Sequence, residues 1–302
     1  MRRLVIAGGS GFLGKVLTEH FKNTFDEIVV LSRSGKSSQE NVRYETWNGR
    51  GLDDWQNSIN GADVLINLSG KSVNCRYTSK NKREILNSRI DSTRILGEAI
   101  RQSKHPPRVW LQAASSTIYR SSCDKIMNER TGEIGDDFSM NVCKQWERAF
   151  QNEECESTKK IIMRMAIVLG KGGGAIPPTF LLTRLGLGGR QGSGNQMVSW
   201  IQEYDFARAV EWLMENGKNK GIYNCTSPHP VTNSFFMKSI RQFLRIPFGI
   251  PSPAWLLEIG SFLIRTETEL LLKSRWVYPQ RLLDEGFVFK YNNLSEALEN
   301  IS

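Results

Sequence analysis

Short, unbroken apolar runs alternate along residues 1–169 with longer stretches whose apolar positions recur every three or four residues. Leu4–Ala7 is the first run, and its unbroken apolar character marks a strand covered on both faces. Lys15–Phe21 follows with apolar residues at helical intervals. Further strands are predicted at Glu27–Leu31, at Val42–Glu45 and at Val64–Gly70, the last opening into a loop; Trp47 and Trp55 stand in the polar segment before it. Lys82–Ser103 reads as a long helix with Leu86, Ile90, Thr93, Gly97 and Ile100 on one face. His105-Pro106-Pro107 breaks the chain, Arg108–Ala113 is a fifth strand, and Ser139–Phe150 is a helix carrying Val142, Cys143, Trp146 and Phe150. Lys160–Leu169 reads as one sixth strand. Strand and helix in alternation predict an α/β fold: a doubly wound parallel sheet with right-handed crossovers.

Between the first strand and the first helix stands Gly8-Gly9-Ser10-Gly11-Phe12-Leu13-Gly14. Strand, glycine turn and helix form the context of a dinucleotide fingerprint. Gly8 permits the sharp turn, Gly11 lets the backbone approach a pyrophosphate, and Gly14 lets helix and strand pack closely. The helix N-terminus offers unpaired N–H groups and partial positive charge to phosphate. The competing reading is a tight turn of an ordinary α/β protein. The second strand ends in Ser32-Arg33-Ser34-Gly35-Lys36, without the carboxylate that receives the ribose hydroxyls of NAD. Ser32 and Arg33, with Lys36 nearby, suit the 2′-phosphate of NADP(H), which a guanidinium grips bidentately. The alternative for Arg33 is a solvated loop charge.

Three further places invite a ligand. Leu68-Ser69-Gly70 leaves the fourth strand where a dinucleotide's sugar and phosphates pass, unless it is a plain turn. Glu84 and Arg89 on the long helix either reach the cofactor or face water. The fifth strand exits into Ala114-Ser115-Ser116-Thr117-Ile118-Tyr119, and serines at the carboxyl end of a central strand sit where doubly wound sheets bind ligands.

Beyond residue 169 the composition shifts. Glycines crowd between Gly170 and Gly194, which reads as a loop-rich lid rather than a core element. Val198–Ile201, a helix over Asp205–Met214 and a strand at Gly221–Cys225 follow. The remainder is mostly helical, at Phe235–Leu244, Ala254–Ile264, Thr268–Leu272 and Leu294–Ile301. The expected organisation is a Rossmann domain over 1–169 with a return strand near 221–225. Residues 170–302 then form a glycine-rich lid and a smaller C-terminal substrate-binding part, interleaved with the sheet.

The chain's 302 residues carry a net charge of +9, but the basic residues are scattered, so nucleic acid is not an expected partner. Five cysteines without a C-x-x-C pair argue against a metal site or a disulfide framework and fit a reducing cytoplasm. The N-terminal apolar run stops at Gly8, too short for a signal peptide, and no apolar stretch approaches the ~20 residues of a membrane span. The expected partner is a small-molecule substrate, with a homodimer as the expected assembly.

The chain resembles the atypical short-chain dehydrogenases/reductases of the epimerase family, essentially end to end. The resemblance is carried by the glycine motif, by Asn67-Leu68-Ser69-Gly70 and Asn87-Ser88-Arg89, and by Arg184–Gly189 with Gly192-Ser193-Gly194. Ser199-Trp200-Ile201, Val231-Thr232-Asn233, Pro279–Leu282 and Gly286–Phe289 complete it. It implies an extended-type Rossmann fold that binds NADP(H), with Ser32, Arg33, Leu68, Ser69, Glu84, Arg89 and Val168 around the cofactor. It also exposes departures. The wider superfamily uses a serine and a Tyr-x-x-x-Lys pair; aligned on Trp146-Glu147, Ser139 stands at the tyrosine position and Cys143 at the lysine position. Neither supplies that chemistry. Lys144 is one residue off and points elsewhere on the helix. Ser115 matches the superfamily serine. Tyr119 is the nearest phenol to serve as proton donor, or else a packing aromatic at a strand exit. Thr117-Ile118-Tyr119-Arg120 replaces the family's Gly-Tyr-Tyr-Gly, and Gln202 replaces a histidine.

Two functional readings follow. One is an NADP(H)-dependent oxidoreductase or epimerase acting on an unidentified carbonyl or nucleotide-sugar-like substrate, with Ser115 and Tyr119 as catalytic candidates. The other is a protein that senses NADPH without turnover.

Overall fold

The computed structural model describes residues 1–34, 38–216, 221–263 and 267–301, without the side chains of 259–263 and 270. Lys36 and Ile264, which entered the sequence reading, lie outside the described residues. In chain order, β1 (Arg3–Ala7), α1 (Phe12–Phe21), β2 (Glu27–Ser32), β3 (Val42–Thr46), β4 (Val64–Asn67), α2 (Ser79–Gln102), β5 (Val109–Ser115), α3 (Phe138–Gln151) and β6 (Lys159–Met165) come first. They are followed by β7 (Ile167–Leu169), α4 (Ile176–Leu182), β8 (Met197–Val198), β9 (Trp200–Gln202), α5 (Glu203–Glu215) and β10 (Gly221–Cys225). The last elements are β11 (Val231–Thr232), α6 (Asn233–Phe243), α7 (Ala254–Leu263), α8 (Glu269–Leu272), α9 (Gln280–Asp284) and α10 (Leu294–Glu299).

Seven strands pair in the order β3-β2-β1-β4-β5-β6-β10, all in parallel. The unbroken apolar runs are explained by helices on both faces. Leu4 and Ile6 of β1 join Leu17 and Phe21 of α1 and Val210 and Leu213 of α5 in one core. Val5 and Ala7, pointing the opposite way, join Leu96 and Ile100 of α2 and Phe150 of α3 in a second. Chain order reverses between β1 and β4, and in such sheets ligands bind in the crevice outside the strands' carboxyl ends at that point. A third apolar cluster, built from Ile176, Phe180, Trp200, Met237, Ile240 and Leu298 among others, lies apart from the sheet and unites α4, β9, α6 and α10.

The structure redraws three details of the sequence reading. The run expected as one sixth strand is two: β6 pairs with β5, Ala166 still donates to the Cys225 carbonyl at 3.1 Å, and β7 then pairs with β9. An apolar run shows that both stretches are buried but not that the chain changes partner within it. The buried face of α2 carries Ile85, Ser92, Thr93, Leu96, Gly97 and Ile100, with Leu86 and Ile90 only half-buried. That face packs on α3, as the Leu96–Ile100–Phe150 cluster shows, and at Gly97 a Cβ would stand 2.1 Å from a carboxylate oxygen of Glu153. The glycine-rich stretch is not all loop: α4 starts with two prolines in its first turn, where their missing N–H groups cost nothing. A wide turn, Thr183–Leu187, continues it and kinks at Gly186, whose φ is 79°.

Candidate functional site

The carboxyl ends of β1 and β4 place the glycine turn beside Leu68-Ser69-Gly70. Gly8 holds a φ of 74°, and a Cβ there would stand 2.9 Å from the backbone N and Cα of Ser69. Gly14 is more constrained: its Cβ would lie 2.2 Å from the Gly9 carbonyl oxygen. Gly11 differs, since a Cβ there meets only the Gly8 carbonyl oxygen, at 3.7 Å, and otherwise opens outward. Helix α1 begins at Phe12 with Gly11 as its N-cap, no side-chain cap and no acidic residue in its first turn. By contrast, Thr78 caps α2 and Asp137 caps α3 through their side chains. The first N–H groups of α1 are therefore not taken by a side-chain cap. The Ser69 hydroxyl, buried against Gly8, has no hydrogen-bond partner among the described residues.

Other candidates gather around this turn. Phe12, Leu13 and Leu68 pack against the first core, to which Val168 belongs. The loop after β7 presses on the same place: a Cβ on Gly173 would stand 2.6 Å from Phe12 Cβ. At the end of β2, Ser32 is buried and donates its hydroxyl hydrogen to the Ser34 carbonyl at 2.6 Å. Arg33 is exposed and has no ion pair among the described residues. On α2, Arg89 Nη1 donates to the carbonyls of Lys71 (3.0 Å) and Ile85 (2.8 Å) while the guanidinium lies 5.0 Å over the Trp146 ring. Burial lowers its pKa, and no carboxylate pairs with it among the described residues. A Cβ on Gly70 would stand 3.1 Å from Arg89 Cζ, so Gly70 is the residue that lets the guanidinium in. Glu84 pairs with Lys71, whose ammonium holds its carboxyl below the usual range. Lys71 thus joins the group; its only signal in the sequence was its place directly after Gly70.

The catalytic candidates separate. Ser115, half-buried at the end of β5, accepts a hydrogen bond from the Thr117 N–H at 3.2 Å and stays at the sheet's carboxyl edge. Tyr119 does not fit the role of proton donor. It is 1% exposed; its hydroxyl accepts from Arg164 Nη1 at 2.8 Å and donates to Asn224 Oδ1 at 3.1 Å. Burial, only partly countered by Arg164, raises its pKa further from neutrality. It is the packing aromatic of the alternative reading, set in a buried network with the Glu147–Arg164 pair.

At the superfamily's Tyr and Lys positions, Ser139 donates to Glu269, and burial pushes the Cys143 thiol up to about 12. Lys144 turns away to Asp136 at 2.6 Å. Around Ser139 the structure adds residues remote in sequence. Lys273 pairs with both Glu269 and Asp137, and the Tyr77 hydroxyl is sheltered against Ser139 and Glu269 without a hydrogen bond of good geometry. Nothing in the local sequence pattern points to these contacts. Gln202, at the position of a family histidine, is 1% exposed; its side chain accepts from the Tyr204 N–H and donates to the Asn300 carbonyl at 2.8 Å. It caps α5 and ties down the C-terminus.

Residues 4–226 match the model of the NAD dependent epimerase/dehydratase family, and residues 252–301 match a domain of unknown function. The chain is 32% identical over 299 residues to the epimerase family protein YfhF of Bacillus subtilis, covering 99% of this chain and 97% of that one. It is 30% identical over 303 residues to the mouse epimerase family protein SDR39U1, covering 99% of each. A crystal structure of human SDR39U1 with NADPH superposes with a TM-score of 0.88 at 30% identity, over 99% of this chain and 98% of that one.

Proposed function

The chain belongs to the NAD dependent epimerase/dehydratase family, and from that premise we propose that it binds NADP(H) and transfers hydride to or from a small carbonyl or nucleotide-sugar-like compound. The observation that carries the reading is the outward-opening Gly11 at an α1 N-terminus with no side-chain cap, beside an unpartnered Ser69 hydroxyl. These groups fit a dinucleotide: the N–H groups of α1 and the backbone at Gly11 would hold the pyrophosphate, and Leu68, Ser69 and Gly70 would line its path. Ser32 and Arg33 would take the adenosine 2′-phosphate, and Arg89, Glu84, Phe12, Leu13 and Val168 would surround the remainder. The bound nucleotide would supply the hydride. Ser115 would then position the substrate oxygen at the sheet edge, and the C-terminal part would cover the substrate.

Nucleotide choice is the direct test. Titration of nicotinamide fluorescence should show NADPH preferred over NADH, with Arg33→Ala weakening NADPH roughly 10- to 100-fold and leaving NADH unchanged. Equal affinities in the wild type, or an unmoved preference in the variant, would reject the assignment.

A second reading, NADPH sensing without turnover, rests on a protonated Cys143 and a serine where the superfamily has its Lys and Tyr. A panel of aldehydes, ketones and nucleotide sugars separates the two. If the protein is an enzyme, NADPH oxidation should appear with at least one of them and fall about tenfold or more in Ser115→Ala. No oxidation across the panel favours sensing; oxidation indifferent to Ser115→Ala removes that residue from the chemistry.

A further inference from the structure

Among the described residues, several strongly exposed apolar side chains sit on two neighbouring segments, 181–190 and 248–256. Leu185 is 66% exposed, Phe248 64%, Trp255 63% and Ile250 53%. The segments that carry them are joined: the Ile250 N–H donates to the Gly186 carbonyl at 2.8 Å and the Ser252 N–H to the Arg190 carbonyl at 2.9 Å. A Cβ on Gly186 would stand 3.4 Å from the Phe248 ring. Isolated exposed hydrophobics are ordinary, whereas a joined set of aromatic and branched residues marks an interaction surface.

The charge of the same face is one-sided. Residues 181–190 and 235–258 hold five cations, Arg184, Arg190, Lys238, Arg241 and Arg245, against a single anion, Glu258. Three of the cations, Lys238, Arg241 and Arg245, line an open pocket of about 380 Å³ at the end of α6. Arg241 Nη1 also donates to the Gly188 carbonyl at 2.5 Å, which ties the pocket wall to the apolar segment. Arg245 holds a φ of 58°, a conformation that glycine adopts at lower cost.

We propose that this face binds the surface of an anionic lipid bilayer, with Leu185, Phe248, Ile250 and Trp255 entering the headgroup–acyl boundary and the Lys238–Arg241–Arg245 pocket taking a lipid phosphate. Aromatic and aliphatic side chains rimmed by Lys and Arg are the pattern of interfacial attachment, which needs no spanning helix. Among the described residues no helix is long and apolar enough to cross a membrane. The sequence reading set membranes aside for want of such a run, and an interfacial face contains none. A second copy of this chain is a poorer occupant: a two-fold contact sets the same patch against itself and brings its excess cations together.

Co-sedimentation with vesicles tests the proposal on the full-length protein. Vesicles of phosphatidylglycerol and phosphatidylcholine should pellet the protein at least tenfold better than phosphatidylcholine alone, with Trp255 contributing a blue shift in emission. Binding should weaken steeply between about 0.05 and 0.5 M NaCl. Leu185→Glu with Trp255→Glu should abolish it, and Lys238→Glu with Arg245→Glu should reduce it about tenfold or more. Both variants change exposed residues, so NADPH affinity and thermal midpoint should stay at the wild-type values. Equal pelleting with neutral vesicles, no pelleting, or full competition by millimolar glycerol phosphate overturns the proposal. So does a dimer in free solution that Leu185→Glu with Trp255→Glu turns into a monomer.

Discussion

Glu147→Gln is expected to cost about 3–5 kcal/mol of stability, the range for removing one partner of a buried ion pair. Glu147 and Arg164 are 6% and 7% exposed at their side chains and meet through two hydrogen bonds of 2.7 Å, in the parallel fork that a guanidinium and a carboxylate form best. Burial alone would lower the Arg164 pKa, but the carboxylate raises it above its ordinary value. A guanidinium stays charged even without its partner, because its intrinsic pKa is so high. In Glu147→Gln that buried charge loses its counter-charge and one of its two acceptor oxygens, and an amide NH2 donor faces the guanidinium in that oxygen's place. In a chain of 302 residues the loss corresponds to a fall in thermal midpoint of roughly 5–8 °C. Denaturant melts of Glu147→Gln, Arg164→Met and the double variant form the check. The double variant should be less unstable than the sum of the singles, since it removes both charges together. A loss below about 1 kcal/mol in Glu147→Gln would show that the pair is solvated and the network dispensable.

This network also explains where sequence reasoning about the site stopped. Tyr119 lies four residues beyond Ser115, close enough in sequence to suggest a shared role. The turn Ser116–Ile118 rotates it inward, under β6 and β10, to the side of the sheet end occupied by Glu147 and Asn224. No period or spacing encodes that rotation; Tyr119 is held there by Arg164, a buried cation in the apolar run Ile161–Met165 of β6. Read with that position in mind, Arg164 between Met163 and Met165 was the available signal, because a buried arginine needs a partner. The contacts of Ser139 with Glu269 and Lys273 had no comparable sign, since they join segments 130 residues apart.

The glycine turn was legible because its demands are local. The positive φ at Gly8 and the contact between Gly14 and Gly9 exclude a side chain for different reasons, whereas Gly11 stands in open space and leaves room for a ligand instead. The sheet order was legible for a related reason: alternating helices and apolar strands leave few right-handed ways to assemble. What could not be read was where an apolar run changes partner, as at Ala166, or which edge of a helix stripe is buried, as on α2. Both are settled by elements far away in the chain, the carbonyls of Cys225 and Ser199 in the first case and helix α3 in the second.

Those different reasons for glycine predict that Gly14→Ala and Gly11→Ala fail in different ways. At Gly14 the new Cβ would stand 2.2 Å from the Gly9 carbonyl oxygen and 2.3 Å from Gly9 Cα. Gly9 is itself closely packed: a Cβ built there would stand 3.0 Å from atoms of Ile6 and Val30. Relief requires α1 to lift off the sheet, which should cost about 1–3 kcal/mol or more and carry the helix N-terminus away from the nucleotide. Gly14→Ala should therefore lower the melting temperature and abolish detectable NADPH binding together. At Gly11 the Cβ meets only one oxygen, at 3.7 Å, so the fold should lose only the cost of alanine for glycine at an N-cap, about 1 kcal/mol. The methyl would instead stand in the space assigned to the pyrophosphate, and NADPH affinity should fall about 100-fold or more in a protein that melts nearly normally. Calorimetric titration alongside thermal melts distinguishes the two outcomes. A Gly11→Ala protein that binds NADPH like the wild type would mean that the pyrophosphate lies elsewhere, and that the turn serves only to bring helix and strand together.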